Sequence, residues 1–138
     1  MRGAHSRPGH ARQDSEERLR RDRAAARSLR AAYPTIGQLR LELKFEAAGA
    51  SAPALQLHIL HPAAPAFFQF SCPHADCSGQ FDLTAAVNDA LADGARRFSQ
   101  GLLECGGIRP RDHITKKPCE LKLLYTISAS SHASRESV

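Results

Sequence analysis

The clearest pattern in the chain is a strict alternation at 38–46, QLRLELKFE. Leu39, Leu41, Leu43 and Phe45 fall on one side, and Arg40, Glu42, Lys44 and Glu46 on the other. Successive side chains of a strand point to opposite faces, so this segment predicts a strand with one buried and one wet face. After a small-residue loop at 47–54, Leu55, Leu57 and Ile59 repeat the alternation against Gln56 and His58, which predicts a second strand of the same kind. The segment HPAAP turns the chain, and residues 67–72 predict a third strand with Phe68, Phe70 and Cys72 on one face. The period then changes. Asp82 is placed to cap a helix over 83–92, where Leu83, Val87, Ala90 and Leu91 recur at helical spacing before Gly94 ends it. Two more strands are predicted at 101–105 and 119–127, the second with Cys119, Leu121, Leu123, Tyr125 and Ile127 on one face.

The two ends read differently. Residues 1–13 mix Gly, Pro, His, Ser and Arg without periodicity, which predicts disorder. Residues 14–32 predict a helix: Asp14 or Ser15 can cap it, Glu16 and Glu17 suit its N-terminal dipole, and Pro34 stops it. Its apolar stripe of Leu19, Ala26, Leu29 and Tyr33 is thin and interrupted by Asp22, so only weak docking on the body is expected. The Ser-rich stretch after 128 predicts a frayed end. The order α-β-β-β-α-β-β makes an α+β fold: an antiparallel sheet of about five strands, one packed helix and a basic N-terminal helix. The organisation that follows is a basic arm and Arg-rich helix over 1–34, a folded domain over 35–128, and a disordered tail over 129–138.

Composition adds limits. A chain of 138 residues supports one modest core. No apolar run is long enough to span a bilayer and no signal-like segment follows Met1, so a soluble, cytoplasmic protein without a membrane partner is expected. An Arg-rich start can mark an organelle transit peptide, but Asp14, Glu16, Glu17 and Asp22 argue against one.

Charge is placed unevenly. Residues 1–32 hold nine Arg against four acids, which is +5, and residues 33–138 hold ten Lys/Arg against ten Asp/Glu, which is zero. A basic arm on a neutral body is a footprint for polyanions, because each Arg near a phosphate displaces a counterion. A solvated helix that binds nothing is the plainer alternative.

The four cysteines, at 72, 77, 105 and 119, each fall at a predicted junction of strand and turn. Cytosolic thiols stay reduced, so a metal is a more natural use for the set than two disulfides. Zinc takes four ligands at tetrahedral corners and suits thiolates. Pro73 helps reverse the chain between Cys72 and Cys77, and pairing of the last two strands brings Cys105 to Cys119 with the intervening segment looped out. That places all four sulfurs at one end of the sheet. Four buried cysteines serving simply as small apolar side chains are the competing reading. A site of three cysteines with His74 or His113 also stays open. The missing H-x-E and P-C-x-x-C elements argue against a zinc deaminase, and the missing C-x-x-C against a redox pair. His58 and His61 fall on opposite faces of a strand and form no shared site.

With cysteines from two strand-turn corners, residues 66–127 resemble the zinc-ribbon class. The resemblance implies that Cys72, Cys77, Cys105 and Cys119 are the ligands of one closed structural zinc. Such an ion contributes on the order of 10 kcal/mol to folding, comparable to the whole net stability of a small domain, so its loss is expected to unfold the C-terminal half. The loop 106–118 carries Arg109, Arg111, Lys116 and Lys117 against Asp112, a local +3. These cations can compensate the net −2 of a zinc with four thiolates, or present a second basic surface. The expectation that follows is a non-catalytic zinc-binding module that contacts RNA or DNA backbone through Arg18, Arg20, Arg21, Arg23, Arg27, Arg30, Arg109, Arg111, Lys116 and Lys117. The alternative is a protein-protein interaction adaptor whose zinc is purely structural. No paired carboxylates, Gly-rich phosphate loop or Ser/His/Asp set points to an enzyme or a small-molecule substrate.

Overall fold

The computed structural model describes residues 8–47, 54–74, 77–92, 97–110 and 116–131, with backbone alone at 8–11, 108–110 and 116–118. Two helices come first, α1 (Pro8–Ala25) and α2 (Leu29–Ala32). Strands β1 (Ile36–Glu46), β2 (Ala54–Leu60), β3 (Gln69–Ser71) and β4 (Gln80–Asp82) lead into helix α3 (Thr84–Ala92). Strands β5 (Phe98–Glu104), β6 (Ile108–Pro110), β7 (Lys116–Pro118) and β8 (Lys122–Ser131) follow. The architecture is α+β, with one four-stranded antiparallel sheet in the order β2-β1-β8-β5 and two small hairpins, β3-β4 and β6-β7.

The alternation at 38–46 does what it predicts. Leu39, Leu41, Leu43 and Phe45 are buried on the inner face, and β1 lies in the middle of the sheet beside β8, whose Leu123 and Ile127 join them. Helix α3 covers this face with Val87 and Ala90, while Phe81 from β4 meets Phe45 with ring centroids 5.6 Å apart. Asp82 caps α3 as expected, its Oδ1 accepting from the Thr84 amide at 2.9 Å. The β5-β8 pairing also forms, from Phe98 opposite Ser128 to Glu104 opposite Lys122.

Several expectations are corrected. The first helix begins at Pro8, inside the stretch read as disordered, and bends at 26–28. There Ser28 takes over as cap of α2, accepting from the Ala31 amide at 3.1 Å. This N-terminal unit does not sit loosely on the body, since Leu19 and Leu29 are buried. Strand β2 forms where predicted but faces the other way. Leu55, Leu57 and Ile59 stand opposite Lys44, Glu42 and Arg40 on the outer face and are exposed, while Gln56 and His58 point inward. The register of the β1-β2 hairpin decides the face, and alternation alone does not fix it. Strand β5 starts three residues before the predicted segment. Strand β8 runs to Ser131, so residues 129–131 belong to the sheet rather than to a tail. The segment expected to loop out between Cys105 and Cys119 contains its own ladder, with Arg109 opposite Lys117. Residues 1–7, 48–53, 93–96, with Gly94, and 132–138 lie outside the described residues.

Candidate metal centre

The two hairpins converge below the end of the main sheet, and each carries one cysteine pair. In the first, β3 and β4 pair from Gln69 opposite Asp82 to Ser71 opposite Gln80, and the ladder continues as the Cys72 amide donates to the Gly79 carbonyl at 3.0 Å. The chain reverses between them, with the Cys77 amide donating to the His74 carbonyl at 3.2 Å. In the second, the Cys105 amide donates to the Leu121 carbonyl and the Cys119 amide to the Gly107 carbonyl, each at 3.0 Å. All four cysteines are buried, free and continuous with the hydrophobic core.

Their sulfurs gather at one point. Cys72 Sγ and Cys119 Sγ are 3.7 Å apart, Cys77 Sγ and Cys105 Sγ are 3.6 Å apart, and all four lie within 4.8 Å of one another. A tetrahedron of thiolates about 2.3 Å from a central zinc has edges of roughly 3.8 Å, so the donor set and its spacing fit such an ion. Both close contacts join one corner to the other.

The two corners share a sub-pattern, Cys-x-Gly, at Cys77-Ser78-Gly79 and Cys105-Gly106-Gly107. The Gly79 amide donates to Cys77 Sγ at 3.3 Å, and the Gly107 amide to Cys105 Sγ at 3.4 Å. Amides aimed at sulfur favour the thiolate. The same two glycines press against each other: a Cβ on Gly107 would lie 2.6 Å from the Gly79 nitrogen and 2.8 Å from Cys77 Sγ. A Cβ on Gly79 would collide with Cys105 Sγ. Close approach, rather than a left-handed backbone, is why glycine stands at both positions.

Burial pushes the Cys72 thiol far up and holds that of Cys105 up at about 12, with the neighbouring cysteines adding to the effect. Four thiolates this close and this buried do not coexist without a cation, so metal entry releases protons. His74 stands beside the cluster rather than in it. Its Nδ1 lies 3.4 Å from Cys119 Sγ, where a protonated ring nitrogen donates to sulfur. No cysteine is left over for a three-cysteine, one-histidine set; His113 and Asp76 lie outside the described residues.

One residue of the site was not anticipated. Arg12, on α1, aims Nη1 at the carbonyls of Cys72, His74 and Cys77, at 2.5, 2.6 and 3.1 Å, and pairs Nη2 with Glu16 at 2.8 Å. A guanidinium thus fills the mouth of the Cys72–Cys77 turn, adds a charged donor to the carbonyls that converge there, and brings positive charge to the cysteine cluster. Gln80 Nε2 adds a second tie to α1 by donating to Ser15 Oγ at 2.5 Å.

The arginines expected to contact a polyanion are placed apart from the cysteines in role. Arg18, Arg20, Arg21, Arg23, Arg27 and Arg30 are all exposed. Arg23 lies over the Phe67 ring at 5.0 Å, and Arg27 Nη2 donates to the Ala31 carbonyl at 2.9 Å. Arg109, Lys116 and Lys117 sit on the β6-β7 hairpin, their side chains outside the description, and Arg111 lies outside the described residues. Among the described residues no helix is long and apolar enough to cross a membrane. Comparison with protein-family models, curated proteins and solved structures finds no match to this chain.

Proposed function

We propose that this chain is a non-catalytic binding module in which Cys72, Cys77, Cys105 and Cys119 hold one zinc ion in a zinc-ribbon-like double corner, and exposed arginines contact RNA or DNA backbone. The zinc supplies cross-linking rather than chemistry: four protein ligands fill a tetrahedral ion and leave no position for a substrate. The observation that carries the binding half is the segregation of charge along the N-terminal unit. Between residues 18 and 30 six arginines stand against Asp22 alone, a local +5, and all six are exposed on a segment anchored by Leu19 and Leu29. Anchoring matters because a cation held on a fixed surface loses less freedom on binding than one on a loose arm.

Polarization of a labelled duplex at increasing salt tests the reading. If all six arginines each neutralise a phosphate, log K falls against log salt with a slope of about −5 on duplex DNA, and Arg18→Gln, Arg20→Gln and Arg21→Gln together reduce that slope by about 3. Binding that is absent or indifferent to salt refutes it. Deletion of 1–32 is the wrong test, since it removes Leu29 and Leu19 from buried positions. The adaptor reading draws on a different observation, the exposed Leu55, Leu57, Ile59, Phe98, Leu102 and Leu124 on the outer sheet face. A protein partner retained after nuclease and high salt supports it.

A further inference from the structure

Strand β2 ends the sheet, so its outer edge has no ladder partner among the described residues. Exposed edges in folded proteins carry Lys, Pro, bulges or a covering element that discourage pairing with another chain. Among the described residues β2 carries none of these. Its sequence is Ala54-Leu55-Gln56-Leu57-His58-Ile59-Leu60, and it pairs with β1 without a bulge over all seven residues. Its outward apolar side chains stand in solvent, with Leu55 at 73% and Leu57 at 51%. The other edge is managed differently: β5 carries Gly101 at its centre, ends in Glu104, and has α3 packed against it.

The strand is self-complementary. Turned about a two-fold axis through Leu57 and laid antiparallel to itself, it sets Leu57 against Leu57, Leu55 against Ile59, Gln56 against His58 and Ala54 against Leu60. Apolar meets apolar on the outer face, and the amide of Gln56 meets the imidazole of His58 on the inner one. In the single chain His58 Nε2 and Gln56 Oε1 already lie 2.9 Å apart, so these groups hydrogen-bond in the geometry of this face. Burial and the nearby Arg23 hold His58 toward its neutral form, which leaves the strand without charge at neutral pH. The cations and anions of the neighbouring strand, Arg40 with Glu42 and Lys44 with Glu46, are already paired to each other and stay in water.

We infer that β2 is the interface for a second copy of this chain, joining two four-stranded sheets edge to edge into one eight-stranded sheet. The occupant is a copy of the same chain because every position of the strand meets a like partner under the two-fold axis, the isologous arrangement that closes a dimer. A seven-residue strand gives a seam roughly 23 Å long. This proposal is independent of zinc and of nucleic acid.

Light scattering across a concentration series, with the full chain as purified, tests it. The wild type is expected to pass from monomer to dimer. Leu57→Lys sets two ammonium groups against each other on the axis and is expected to raise the dimer dissociation constant by roughly a hundredfold or more. Leu102→Lys, equally exposed on the opposite edge strand, is expected to leave the dimer intact. Circular dichroism of both variants should match the wild type, because neither residue is buried. A wild type that stays monomeric at high concentration overturns the proposal, as does a dimer that survives Leu57→Lys or is broken by Leu102→Lys.

Discussion

Replacing Gly107 by alanine probes the contact on which the cysteine cluster depends. The added Cβ would lie 2.6 Å from the Gly79 nitrogen, 2.7 Å from its Cα and 2.8 Å from Cys77 Sγ. Non-bonded carbon contacts settle at about 3.5–4.0 Å, so the methyl group intrudes by roughly 1 Å on three atoms at once. None of the three is the free end of a flexible side chain. Two are backbone of the facing corner and the third is a cluster sulfur, so relief requires the corners to separate. Overpacking costs about 1–3 kcal/mol in ordinary cores. Here the upper end is expected, about 3 kcal/mol, which corresponds to roughly a hundredfold loss of apparent metal affinity. Gly106→Ala is the control, because a Cβ there meets nothing within 4 Å. It is expected to change stability by less than about 1 kcal/mol, through the unfolded chain. Urea unfolding of the zinc-loaded protein and competition with a chelator measure both variants. Equal midpoints and equal chelator resistance for Gly107→Ala and Gly106→Ala would refute the packing argument.

Elemental analysis of the purified protein should find about one zinc per chain, lost together with folding in Cys72→Ser and in Cys119→Ser. Zinc affinity should rise with pH: release of the Cys72 and Cys105 protons alone makes it climb about a hundredfold per unit across the neutral range, read by competition titration. Arg12→Met should cost about 2–3 kcal/mol by removing a charged donor from the carbonyls of Cys72, His74 and Cys77, and hydrogen exchange should rise first over residues 12–25. Leu41→Ala, at a fully buried position of β1, should cost about 2–5 kcal/mol in urea unfolding with the metal in place.

Much of this fold was legible because its signals are local. The alternation of β1, the Asp82 cap and the apolar face of β8 are each written in consecutive residues. The cysteine cluster was legible for a related reason: every cysteine stands where a strand meets a turn, and hairpins bring such junctions together. What escaped depends on pairs distant in sequence. The face of β2 is set by which residue of β1 it meets, and the same alternating string serves either face. Strand β4, only Gln80–Asp82, is too short to show a period. Arg12 acts on backbone carbonyls sixty positions away, which no side-chain pattern records. The glycine contact did have a signal, the repeated Cys-x-Gly at 77–79 and 105–107, and it points to two corners built alike.

The strand order carries a kinetic meaning. The centre of the sheet joins β1 to β8, with Phe45 opposite Leu123, so its most buried ladder closes only when distant parts of the chain meet. Topologies dominated by such contacts fold slowly, because the chain gives up the entropy of a long loop before the contacts repay it. A cation captured early by the Cys72–Cys77 turn and then by Cys105 and Cys119 shortens that loop while the sheet is still open. An ion taken up in that order would set the pace of assembly, and refolding with zinc present should outrun refolding with the metal added afterwards.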